Sequence, residues 1–211
     1  LRAIEWGIDD SRAAQVLCQL YCSQGRRHEA CRQALRLARM GALKSEELHS
    51  LLDRSGPFQL VSFEEFIPRD RVTLFDLGEA RILDAVEQDH DAALAKVQAV
   101  SSSVPNHPAV EAMRGKLLAL RTGNQEALEQ WHRSLPDGVE EQPEYWFAIG
   151  IWQRDAGQDR AAIRSFAEAI RRDPTDRVAM REIKSALIRL REDSKAQSLR
   201  DTIAVLDEIY R

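Results

Sequence analysis

The sequence predicts an all-α solenoid built from antiparallel helix pairs, and three observations predict it. Of 211 residues, 27 are Ala and 23 are Leu against 10 Gly and 7 Pro, a balance that favours helices over short strands and turns. A small residue recurs at Ala93, Ala127, Ala162 and Ala196, at separations of 34, 35 and 34, and a period of that length signals a stacked array. Other positions keep the same step: Gly115 with Gly150, Val97 with Trp131 and Phe166, Val100 with Ser134 and Ala169. Two antiparallel helices approach closely only where a side chain is small, and large residues then fill the groove that remains.

The elements follow in order. Leu1–Glu5 reads as the tail of a preceding second helix, and the chain begins without Met, so it is expected to be a piece of a longer array. Helices near 11–24 and 28–41, with Leu17, Tyr21, Gly25 and Ala30 in register, complete a unit over 1–42. From Ala30 to Ala93 is 63 residues where two periods need 68, so 43–72 is read as a degenerate unit. Its helix near 45–54 starts on a capping pattern at Ser45, Gly56-Pro57 breaks it, and an irregular insert rich in Phe58, Phe63 and Phe66 follows. Unit 73–107 carries helices near 73–87 and 90–102, unit 108–142 helices near 108–121 and 124–135, and unit 143–176 helices near 143–156 and 159–172. Asn106-His107-Pro108, Leu135-Pro136-Asp137-Gly138, Gln142-Pro143 and Asp173-Pro174 mark their turns and starts. The last unit, 177–211, has helices near 177–191 and 194–210, and the latter spaces Ala196, Leu199, Ile203, Leu206 and Tyr210 as a helix closing a stack.

Within Pro143–Pro174, the residues Trp146, Ile149-Gly150, Gly157, Ala162, Phe166, Ala169 and Pro174 stand at the spacing of a tetratricopeptide repeat, and the stretch resembles that family. Gln153 departs from it, standing where the pattern usually carries an aromatic. The resemblance implies a right-handed superhelix whose first helices line a concave surface that holds a peptide or partner helix. Carried over residue by residue, that row is Gln15, Gln19 and Cys22; Phe75 and Ile82; Ala109, Ala112, Lys116 and Ala119; Phe147, Ile151 and Arg154; Arg181, Ser185 and Arg189. The Lys and Asn clamp by which some members grip a carboxylate terminus is absent. The row reads instead as small and apolar in its centre with Arg at its end, which suits an apolar protein or peptide ligand carrying acidic residues. The alternative is that Phe75, Phe147 and Ile151 are covered by the insert or by neighbouring repeats and belong to the core.

Other chemistries find little purchase. No Gly-rich phosphate loop, zinc helix, nucleophile elbow or calcium loop occurs, so no enzyme activity, cofactor or metal is expected within the chain. Cys18, Cys22 and Cys31 are an odd, clustered set, no disulfide framework, and favour a reducing, cytoplasmic setting; they read as helix packing rather than as metal ligands. Asp89-His90-Asp91 falls at a turn before a helix, where a charge has an ordinary electrostatic role. Residues 40–153 hold 10 basic and 19 acidic side chains between basic flanks, an arrangement unlike a nucleic-acid surface, and the Arg32, Arg36, Arg39 stripe reads as a solvated outer face. No apolar run is long enough to span a membrane. The reading is therefore an interaction scaffold, with the alternative of a recruiting or regulatory module attached to an enzyme domain elsewhere.

Overall fold

The described helices pack as successive pairs, and most pairs pack on the next. The computed structural model describes residues 10–24, 26–42, 74–84, 88–121 and 125–209, and these hold ten α-helices and no strand. They are α1 (Asp10–Ser23), α2 (Arg27–Arg39), α3 (Leu74–Ile82), α4 (His90–Ser103), α5 (Pro108–Leu120), α6 (Gln125–Arg133), α7 (Pro143–Asp155), α8 (Asp159–Arg172), α9 (Arg177–Arg189) and α10 (Asp193–Ile209). Helices α1 and α2, α3 and α4, α5 and α6, α7 and α8, and α9 and α10 pack pairwise; α1 also touches α3, α4 packs on α5, α5 on α7, and α8 on α9, which joins the pairs into a stack. The Leu1–Glu5 tail and the degenerate unit with its three phenylalanines lie outside the described residues.

The helix ends follow from local chemistry. Asp89 and Asp176 accept from the backbone N–H groups of Ala92 (3.0 Å) and Ala179 (2.9 Å), capping α4 and α9, so the charge expected before α4 does serve the helix start. Pro108 and Pro143 open α5 and α7, where a missing N–H costs nothing. Gly157 ends α7 at φ +72°, and the Gln158 N–H reaches back to the Gln153 carbonyl at 2.9 Å, the paired closure that favours glycine. Arg191 closes α9 in the same way, 34 residues later, at φ +61° and with a Cβ in the way.

The period becomes packing at one repeated contact. Gly115 lies against the Trp131 indole and Gly150 against the Phe166 ring, so closely that a Cβ at either glycine would fall within 2.1 Å and 2.6 Å of ring carbon. Cys18 and Ala34 occupy the corresponding places in the first pair, and both are fully buried. The size of one partner compensates for the other, which keeps the interior close-packed while the sequence drifts. Of the ladder alanines, Ala93, Ala162 and Ala196 are buried, while Ala127 is half-buried. Gln153, the departure from the repeat pattern, is engaged by the hydroxyl of the buried Ser165, with 2.7 Å between the oxygens.

Candidate functional site

The first helices α1, α3, α5, α7 and α9 carry the row of residues predicted to line a groove, and packing divides that row: on α1, Gln19 is buried while Gln15 and Cys22 are half-buried. Ala112, Ala119, Phe147 and Ile151 are buried. Phe147 meets Phe166 edge-on at 5.6 Å between ring centroids, inside the pair α7–α8. Helices α5 and α7 pack extensively, and their facing side chains form core. Ala119 also borders a cavity of about 200 Å³ shared with Leu128 and Trp152 and edged by Arg121 and Asp155. Phe75 sits on α3, but its side chain lies outside the described residues.

The exposed part of the row lies on α3 and α9. Ile82 on α3 is 43% exposed. On α9, Val178 and Ile188, neither of them in the predicted row, flank the predicted Arg181 and Ser185 at steps of three and four residues along one helix face, and they are 45% and 46% exposed. Buried Ala179, Ile183, Ala186 and Leu187 hold the opposite face of α9 against α8 and α10. The stripe is therefore a rigid presentation of two apolar side chains with Arg181 and Ser185 between them.

Between α3 and α9 runs a buried charge network that crosses several helices. Arg81 on α3 donates to Glu144 on α7 at 2.7 Å and to the Gln24 carbonyl after α1 at 2.7 Å. Lys116 on α5 pairs with Asp84 at 2.8 Å and lies 5.1 Å from the centre of the Phe147 ring. Asp84 also meets His90 Nδ1 at 3.0 Å. Burial by itself disfavours the Lys116 ammonium, yet the carboxylates of Asp84, Asp176 and Glu144 outweigh it and raise the Lys116 pKa above the ordinary lysine value. Burial likewise penalises the Glu144 carboxylate, but Arg81 and Lys116 hold its pKa below the usual range. Asp176 goes the other way: burial pushes it up, and Lys116 only partly offsets this.

The remaining predicted cations are also engaged within the chain. Arg154 pairs with Glu182 (2.9 Å) and Asp155 (2.8 Å), and Arg189 pairs with Asp159 (2.6 Å). An acidic ligand would have to compete with these carboxylates. Sequence reasoning placed Lys116 in the row but missed Arg81, Asp84, Glu144 and Asp176. The available signal was Lys116 itself, since a cation at an inward position requires a buried counter-charge.

No family model matches the chain, and no curated protein matches it. Among solved structures the chain is similar to one titled MamA MSR-1 C2, at 13% identity and a TM-score of 0.41, over 94% of this chain and 97% of that one. The stacked, all-α helix-pair architecture is established by the packing of the helices themselves.

Proposed function

We propose that this chain is a protein-interaction scaffold of the tetratricopeptide class, and that it holds a peptide or partner helix against the exposed face of α9. The observation that carries this reading is the Val178, Arg181, Ser185, Ile188 stripe, which leaves two large apolar side chains nearly half exposed on a helix whose other face is firmly packed. A ligand that buries Val178 and Ile188 removes apolar area from water at about 25 cal/mol per Å². Because Arg154 and Arg189 are already paired, apolar contact rather than charge supplies most of the affinity.

Affinity capture from the source organism tests this, with the wild type compared to Val178→Asp/Ile188→Asp. Both positions are exposed, so the variant keeps its helical circular dichroism while losing specific partners. Unchanged capture by the folded variant would refute the site. A substitution at Ile151 cannot serve, because that side chain is 1% exposed and its change would damage the core.

A further inference from the structure

The three cysteines take no part in the proposed docking face on α9, yet they converge on one place. Cys18 on α1 is fully buried, and Cys22 and Cys31 pack, half-buried, against the same small cluster of Ala14, Cys18, Ala34 and Leu37. All three are thiols. Cys18 Sγ donates to the Ala30 carbonyl at 3.4 Å. That carbonyl belongs to the peptide bond joining Ala30 to Cys31, so the Cys18 sulfur already touches the backbone that carries Cys31.

Geometry excludes one of the three possible pairs. A disulfide needs Cβ atoms about 3.5–4.5 Å apart. Residues one turn apart on a helix keep their Cβ atoms at about 5–6 Å, so Cys18 and Cys22 cannot bridge while α1 stays helical. Cys31 stands on the facing helix α2 directly after Ala30 and packs on the cluster that holds Cys18, where Ala14, Ala30 and Ala34 are all buried and small enough to let the two helices approach closely. Cys22 has a different part: its thiol hydrogen-bonds to the Cys18 sulfur and holds the Cys18 pKa below its ordinary value, against the opposing effects of burial and of charge at Cys31.

We propose that Cys18 and Cys31 form a peroxide-responsive modification site that closes a disulfide between α1 and α2. Hydrogen peroxide is the oxidant. The half-buried Cys31 thiolate attacks one peroxide oxygen, the O–O bond breaks, hydroxide leaves, and Cys31 becomes a sulfenic acid, oxidised by two electrons as the peroxide is reduced. The Cys18 thiolate then attacks the Cys31 sulfur, the S–O bond breaks, and the departing hydroxide takes up a proton to become water. The balance is two thiols and one hydrogen peroxide giving one disulfide and two waters. The second step needs no solvent access to Cys18, which suits its burial.

The test uses the full chain, reduced and then exposed to excess hydrogen peroxide, alkylated, digested with trypsin and mapped by mass spectrometry without reduction. Trypsin separates a peptide over 13–26, which holds Cys18 and Cys22, from one over 28–32, which holds Cys31. Two of the three thiols are lost, the two peptides appear joined with two hydrogens fewer, Cys22 is alkylated, and dithiothreitol reverses the change. The Cys22→Ser variant keeps the bridge, and Cys31→Ser, at a half-buried position, abolishes it with its circular dichroism intact. Three unchanged thiols, disulfide-linked dimers, a stable sulfinic acid at Cys31 without a bridge, or a 13–26 to 28–32 bridge persisting in Cys18→Ala would each overturn the proposal.

Discussion

Replacing Gly115 by Ala is expected to destabilise the chain, although alanine is the better helix former. The substitution gains about 1 kcal/mol of helix propensity. Against this, the new Cβ falls 2.1 Å from Trp131 Cζ2 and 2.4 Å from Cε2, on a rigid ring rather than at the end of a flexible chain. Overpacking of this kind costs about 2 kcal/mol. The indole cannot retreat freely, because its Nε1–H donates to the Glu111 carbonyl at 2.9 Å in the interior, and loosening that bond costs about 1 kcal/mol more. The sum is a net loss of about 2 kcal/mol, which for a chain of this length lowers the thermal midpoint by roughly 4–8 °C. Gly150→Ala provides the comparison: its Cβ falls 2.6 Å from a Phe166 ring that makes no hydrogen bond, so the loss is about 1 kcal/mol. Thermal melts of both variants, followed by far-ultraviolet circular dichroism, measure the order. A Gly115→Ala midpoint at or above wild type, or a larger loss for Gly150→Ala, would refute the compensation argument.

Three further outcomes are expected. Lys116→Met leaves the Asp84 carboxylate buried with His90 as its remaining partner among the described residues and costs about 3 kcal/mol, while adding Asp84→Asn recovers more than half of it; additive losses in urea titrations would sever the proposed coupling. Glu144→Gln is less stable than wild type at neutral pH. Because the folded carboxyl has a depressed pKa, its contribution is present above the ordinary glutamate value of about 4.3 and is lost as pH falls through the lower folded value, so the two melting curves converge in acid; a constant gap down to about pH 2 would count against it. Arg191→Gly relieves a left-handed backbone at the end of α9 and raises stability by about 1 kcal/mol, read as a higher midpoint with unchanged helicity.

Some of this architecture is written in residue spacing. The offsets that pair Gly115 with Gly150 and Trp131 with Phe166 are the offsets of one contact made twice, and the small residues Ala93, Ala162 and Ala196 are buried as the ladder implies. Spacing is informative there because a contact within a helix pair recurs at a fixed sequence separation. The charge network has no such regularity. Arg81 reaches Glu144 across 63 residues, passing over α5, while Lys116 reaches Asp84 and Arg154 reaches Glu182 at separations that match no common step. These partners depend on how the first helices lie side by side, and no period records that.

The groove residues show the same division most clearly. Sequence alone determined that Ala112, Phe147, Ile151, Arg181 and Arg189 stand on the first helices, since helix membership follows from periodicity and breakers. Only the tertiary structure decided that α5 and α7 close on each other and draw Ala112, Phe147 and Ile151 into the core, while α9 keeps Val178 and Ile188 at the surface. The physical reason is that burial is a property of the gap between helices, and side-chain volumes on both sides set that gap. One strand of residues, read by itself, carries half of that information.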